Sequence, residues 1–192
     1  MKSFLNIINN ILFLALIGIA IFVWDIQSIA IILGALVPFL LKKIFHYEVS
    51  GEMKILYYIF FLSAYVLGVV FAWYRKFPWA DLWAHFLSGV VMTFVGLFFV
   101  KESKILKKEN TLFIILFLIS FSVLIGFLWE SGEYIYDTLF DKDTQWVLKT
   151  GVTDTMTDLF ISTFGSALIC LFYGYFVKKD GKQFLDKIRE IL

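Results

Sequence analysis

LFIILFLISFSVLIGFLWESGEYIY, residues 112–136, is the stretch on which the fold turns. From Leu112 to Trp129 it carries no ionisable side chain, and about 20 apolar residues in a helix cross the roughly 30 Å hydrocarbon layer of a bilayer. The run is continuous rather than alternating, so it reads as a helix: inside lipid only helices and closed barrels satisfy every backbone polar group, and a barrel strand would alternate. At its end the character changes. Glu130, Glu133 and then Asp137 fall at i, i+3 and i+7, a single stripe on one helical face.

Working outward, five further apolar runs occupy residues 4–24, 26–45, 55–74, 82–100 and 159–177. The 192 residues are 60% hydrophobic, 20% aromatic and only 17% charged, well above the roughly 45–50% apolar content of soluble domains. The expected fold is all-α: a polytopic membrane helical bundle of about six transmembrane helices, forming one transmembrane domain over residues 1–177. Residues 178–192 should follow as a short cytoplasmic amphipathic tail. The first run is longer than the ~7–15-residue core of a secretory signal and lacks an A-x-A cleavage site, so it reads as the first span. Pro38 should kink or loosen the second.

Positive residues set the orientation, because cytoplasmic loops retain Lys and Arg. Of the 17 Lys and Arg residues, only Arg75, Lys76, Lys142 and Lys149 fall on one set of alternate loops. The rest share the other set, which places both termini in the cytoplasm and the protein in the cytoplasmic membrane as a multi-pass chain. Trp24, Trp73, Trp79, Trp83, Trp129 and Trp146 then gather near the outer boundary as an aromatic belt. Arg75 and Lys76 read as headgroup anchors. A formal charge of +1 with scattered basic clusters excludes nucleic acid as a partner, and the single Cys170 excludes an intrachain disulfide or a Cys-rich zinc site.

With this topology, Asp25, Asp81, Glu130, Glu133, Asp137, Asp141, Asp143, Asp154 and Asp158 lie on or near the outer side. Asp81 and His85 share a face at the start of the fourth span, and Asp154 and Asp158 share one at the start of the sixth. Asp81 and Asp154 also suit first-turn capping positions, and Asp141 and Asp143 read as solvated loop charges. An ionised group within a span costs roughly 2.5–3.5 kcal/mol on insertion scales, so such groups should face the bundle interior and pair. The candidate catalytic set is Asp81, His85, Glu130, Glu133, Asp137, Asp154 and Asp158. His85, Glu130, Glu133 and Asp158 are the candidate metal ligands. Carboxylates with one imidazole suit magnesium, manganese or calcium better than zinc. Ser88, Gly89, Thr93, Gly96, Gly126, Gly165 and Ser166 offer small surfaces for close helix approach.

The order Asp81-x-x-x-His85, Gly126-Phe-Leu-Trp-Glu130-x-x-Glu133-x-x-x-Asp137 and Asp154-Thr-x-x-Asp158 followed by Gly165 resembles the YjdF-like family of bacterial membrane proteins, over roughly residues 79–171. It is more distantly similar to the VanZ-like family, which is associated with glycopeptide resistance. There the last pattern has an Asn where this chain has Ser162, Glu133 stands where a Gln is usual, and that family's Arg has no counterpart. The resemblance implies a site at these positions but no particular reaction.

Three functions are compatible with such a site. One is a membrane-embedded, metal-assisted enzyme acting on a membrane lipid or lipid-linked envelope precursor, with Glu130 or Asp158 as base and His85 as partner. The others are a proton-coupled transporter or flippase, for which a homodimer would supply symmetry, and a structural or regulatory subunit. The chain has neither the Asp-Gly-x-x-Ala-Arg element of CDP-alcohol transferases nor a G-x-S-x-G motif.

Overall fold

The computed structural model describes residues 2–24, 26–46 and 48–192. Asp25, one of the acidic residues assigned to the outer side, lies outside the described residues. Among those described there is no strand, and six helices are long and apolar enough to cross a membrane. They are α1 (Lys2–Val23), α2 (Ile26–Phe45), α3 (Gly51–Phe61, continuing as a π-helix over Leu62–Val70), α5 (Pro78–Glu102), α6 (Thr111–Phe140) and α8 (Thr153–Asp180). Short helices α4 (Trp73–Lys76) and α7 (Val147–Thr150) stand beside them, and α9 spans Lys182–Ile191. The chain divides into two compact units, one running up to Ala80 together with Glu190–Leu192, the other Asp81–Arg189.

Local chemistry moves some helix ends from where hydropathy put them. The third span begins at Gly51 because the Ser50 hydroxyl accepts the Met53 amide and caps the helix. It closes at Val70 rather than Tyr74 because Ala72 adopts a left-handed conformation, φ 56 and ψ 37. The sixth starts at Thr153, six residues before its apolar run, so Asp154 and Asp158 lie within its first two turns. A 30-residue helix such as α6 is about 45 Å long, more than the roughly 30 Å of hydrocarbon, so its polar end extends toward the headgroups.

In the first unit, α1 packs on α2 and α3 around Leu16, Ala20, Ile31, Ala35, Tyr58 and Val66. Pro38 lacks the N–H that would bond the Gly34 carbonyl, four residues back. The Tyr57 hydroxyl supplies that donor at 2.8 Å, and Tyr58 donates to the next carbonyl, Ala35, at 3.2 Å. The helix keeps its proline without stranding a carbonyl in lipid. A β-carbon on Gly34 would fall inside the Phe61 ring, so α2 and α3 meet closely there.

The second unit is built from α5, α6 and α8, with α9 closing one end. Phe184 of α9 stacks near Tyr173 and Phe176, and the Arg189 guanidinium donates to the Leu106 carbonyl at 2.7 Å. The tail is thus a packed helix. Small residues set the interhelical contacts. A β-carbon on Gly89 would fall on the Ser162 carbonyl oxygen, and one on Gly165 would fall on that of Phe86, so α5 and α8 cross almost backbone to backbone. Thr93 Oγ1 donates to the Gly89 carbonyl at 2.8 Å and lies 2.8 Å from Ser166 Oγ. On α6, Gly126 faces Leu159 and Ser162, where a β-carbon would sit 3.3 Å from each.

Candidate functional site

The site stands one helical turn from that crossing. Gly89, Gly126 and Ser162 form a layer without bulky side chains. Four residues from each, on the same helical face and toward the same end of the unit, are His85, Glu130 and Asp158. Close packing in the small-residue layer thus dictates that the next layer, which is ionisable, is crowded. Glu130 and Asp158 are only 4% and 3% exposed.

Asp81, His85 and Asp158 converge. His85 Nε2 lies 3.7 Å from Asp81 Oδ1 and 3.7 Å from Asp158 Oδ2, and one ligand atom from each residue falls within 4.8 Å of the others. These separations exceed a hydrogen bond. They match ligand atoms arranged about one cation, which lie at most about 4–5 Å apart for metal–ligand distances of ~2.0–2.6 Å. Asp158 Oδ1 is buried and has no hydrogen-bond partner among the described residues, and the same is true of Glu130 Oε1. A buried, unsatisfied carboxylate oxygen is costly, and two of them in neighbouring side chains mark a place where something polar belongs.

The remaining candidates have other partners or stand apart. Glu130 Oε2 and the Glu130 carbonyl both accept from Gln145 Nε2, each at 3.1 Å. Glu133 Oε1 accepts from Trp129 Nε1 at 2.9 Å within its own helix. Asp137 secures the loop after α6: its carboxylate accepts the Thr144 amide at 2.8 and 2.9 Å, the Thr144 hydroxyl at 2.6 Å and the Gln145 amide at 3.1 Å. It therefore positions Gln145 and does not reach the trio. Asp154 sits one turn before Asp158 and within electrostatic range of Asp81. Glu130 and Glu133 are likewise in electrostatic range of Asp158. Asp143 accepts the Leu148 amide at 3.3 Å, tying down the start of α7, while Asp141 is exposed in a left-handed turn. The group that converges is thus Asp81, His85 and Asp158, with Glu130 and Glu133 alongside.

Gln145, buried against Glu130, is the participant that sequence reading missed. It lies 15 residues further along, beyond a turn in which Asp141 and Trp146 both have positive φ. Only the pairing of Asp137 with the amides after it could have pointed to that fold-back.

On the side of α6 facing α7 and α8, a cleft of about 610 Å³ runs from Phe127 and Tyr134 to Val152 and Leu159, and Glu130 and Gln145 form part of its wall. The second unit thus combines three membrane-length helices, a carboxylate–imidazole trio of which Asp158 is buried and Asp81 and His85 half-buried, and a side cleft, the attributes of an integral membrane protein with a polar site within its helices. The chain belongs to the family described as "Predicted membrane protein (DUF2238)", which matches residues 4–180. No curated protein and no solved structure matches the chain.

Proposed function

We propose that this protein is a cation-assisted enzyme of the cytoplasmic membrane, both termini inside, acting on a lipid or lipid-linked envelope substrate presented from the outer leaflet. The observation that carries the reading is the spacing of Asp81, His85 and Asp158 around a common centre beside an unpartnered Asp158 oxygen. Two carboxylates and one imidazole favour magnesium or manganese over softer ions. The ion, held by these three side chains, would act as a Lewis acid on a phosphoryl or carbonyl oxygen of the substrate. Glu130 is the nearby group suited to accept a proton, because one of its oxygens is oriented by Gln145 and the other is free. Asp137 acts through Gln145 as a positioning residue. Kinship with the YjdF-like proteins, and more distantly the VanZ-like ones, belongs to the same proposal and rests on the motif order from Asp81 to Gly165.

Metal analysis of the purified protein after equilibration with Mn²⁺ tests this reading. About one ion per chain is expected in the unaltered protein and in Glu133→Gln, and at least tenfold weaker binding in Asp158→Asn and His85→Ala. Equal binding in all four, or none in any, would remove the cation site. Lipid turnover in detergent, where no gradient exists, separates an enzyme from a proton-coupled transporter.

A further inference from the structure

On α8, Lys178 stands 20 residues beyond Asp158, about 30 Å of helix, so the end of the second unit away from the trio lies one hydrocarbon thickness from it. That end is closed by α9, which packs its apolar side inward: Phe184 lies against Tyr173 and Phe176, and Leu185 is buried. The Arg189 bond to the Leu106 carbonyl brings α9 to the turn after α5, so the cations of that turn, of the last turn of α8 and of α9 share one end of the unit. Lys101 lies 3.8 Å from Glu102, and Arg189 pairs with Asp186. Lys104, Lys107, Lys178, Lys182 and Lys187 are exposed and have no carboxylate within ion-pair distance among the described residues. Lys179 is also exposed, its ammonium 5.9 Å from the centre of the Tyr175 ring. Local structure accounts for only part of this. Lys178 and Lys179 stand in the last turn of α8, where the helix dipole favours a cation. Lys182 opens α9, the end at which the dipole disfavours one, and no acid shares that first turn. Lys104 holds φ 60, the left-handed region in which a β-carbon is strained. Two lysines are thus kept where their own backbone opposes them, with no counter-charge beside them.

The exposed face of α8 leading to these cations is apolar. Leu171, Phe172 and Tyr175 are exposed, and Lys178 and Lys179 continue their face at i+3 and i+4 from Tyr175. Apolar surface that ends in unpaired ammonium groups complements a phospholipid, acyl chains along the helix and phosphate at its end; a soluble acidic partner would match the lysines and leave the rings uncovered. We infer that this end of the second unit is a docking surface for acidic phospholipids, with the phosphate of one held by Lys178, Lys179 and Lys182 and its chains along Leu171, Phe172 and Tyr175. Lys104, Lys107 and Lys187 draw further acidic headgroups of the same leaflet. Lysines act as point charges rather than as bidentate forks, so net negative charge decides which lipid binds, and phosphatidylcholine, whose phosphate is offset by its own ammonium, is discriminated against. The inference is independent of the enzyme reading, since none of these residues belongs to the trio or its neighbours.

Native mass spectrometry of the full chain, released from micelles holding equimolar phosphatidylglycerol and phosphatidylcholine, tests it. Phosphatidylglycerol should be retained roughly fivefold or more over phosphatidylcholine, the effect of a single lysine at an anionic surface. Lys178→Gln, Lys179→Gln and Lys182→Gln together should bring the two lipids to near equality, while Arg75→Gln with Lys76→Gln, which removes as exposed a pair of cations from the first unit, should leave the selectivity intact. Leu171→Ser with Phe172→Ser should weaken retention of phosphatidylglycerol, because the chains lose their wall. An unchanged melting temperature in phosphatidylcholine checks that each of these variants is folded. Lys104→Gly should melt higher than the unaltered protein in phosphatidylcholine, with its strain relieved, yet gain less from added phosphatidylglycerol. Equal retention of the two lipids by the unaltered protein, selectivity that survives the triple variant, or equal loss in the Arg75 and Lys76 variant would overturn the inference. Displacement of the lipid by inorganic phosphate would replace it with a site for the free ion, and indifference to the Leu171 and Phe172 variant would replace it with a surface for a soluble polyanion.

Discussion

In the unit that ends at Ala80, side-chain polarity is largely spent on the backbone. Tyr57 and Tyr58 serve the carbonyls around Pro38, Tyr74 donates to the Ala64 carbonyl at 2.7 Å beside the π-helix, and Asn9 donates to the Gly51 carbonyl at 3.0 Å. The second unit uses small residues to bring helices together and then sets ionisable groups at the next turn, two of which keep a buried oxygen without a partner. Both units face the same constraint, since an unsatisfied polar group in lipid costs several kcal/mol. The first meets it largely by internal repair, with Asn9 Oδ1 left buried and unpartnered. The second leaves it unmet at two carboxylates in adjoining layers of the same site, and such local conflict is expected where stability has been exchanged for a function.

The largest effect should come from the close crossing. Gly89→Ala drives a methyl group into the Ser162 backbone, which cannot rotate away, and should cost about 3 kcal/mol, the upper end for overpacking. Moving His85 from Asp158 should also weaken Mn²⁺ binding tenfold or more. Gly18→Ala in the first unit meets nothing within 4 Å and should raise thermal stability slightly, because alanine is the better helix former by up to ~1 kcal/mol. If the two variants melt alike, close packing does not distinguish the units.

Next comes Asp158→Asn, which replaces a buried carboxyl crowded by those of Asp81, Asp154, Glu130 and Glu133. In chelator it should stabilise by about 1–2 kcal/mol, seen as a higher melting temperature, since relieving like-charge crowding commonly yields that much. It should also cut the rise of about 2.7 kcal/mol that a cation at 100 times its Kd confers on the unaltered protein to about 1.4 kcal/mol or less. A melting temperature that falls in chelator would mean the carboxylate is structural, like the tyrosines of the first unit.

A smaller effect, about 1 kcal/mol, is expected for Tyr57→Phe, which strands the Gly34 carbonyl. In a Pro38→Ala background the restored N–H should reclaim that carbonyl and most of the loss should vanish. Additive losses across this cycle would show that the tyrosine does not repair the proline site. Smallest is the Lys42–Glu48 pair at 2.8 Å, where both side chains are exposed. The Lys42 ammonium holds the Glu48 carboxyl below its ordinary pKa. Its stabilisation is therefore present above the unfolded carboxyl pKa and lost as pH falls through the lower folded value. Because the group is fully solvated, Lys42→Ala should leave the melting temperature unchanged at pH 7.

Much of this architecture is legible in hydropathy and spacing. The six spans and the shared faces of Asp81 with His85 and of Asp154 with Asp158 follow from residue type and the 3.6-residue repeat. Pro38 announces a defect in α2, yet which side chain mends it depends on α3 lying alongside, a tertiary fact. Similarly, Asp137 falls on the stripe of Glu130 and Glu133, but its carboxylate turns to the loop amides of Thr144 and Gln145. Spacing records which face a residue occupies. It does not record which neighbour wins the competition for its side chain, and the left-handed residues at Asp141 and Trp146 decide that here.

The bond from Arg189 to the Leu106 carbonyl joins residues 83 positions apart. At ~5–20 residues per second, a ribosome needs roughly 4–17 s to pass from one to the other. During synthesis the α5–α6 hairpin therefore waits in the bilayer with that carbonyl unclasped, and the helix that fastens it is delivered only after every carboxylate of the trio's neighbourhood has been made. The side chains of the polar layer, at the start of α5 and α8, are thus all synthesised before the residue that fastens the opposite end of the unit.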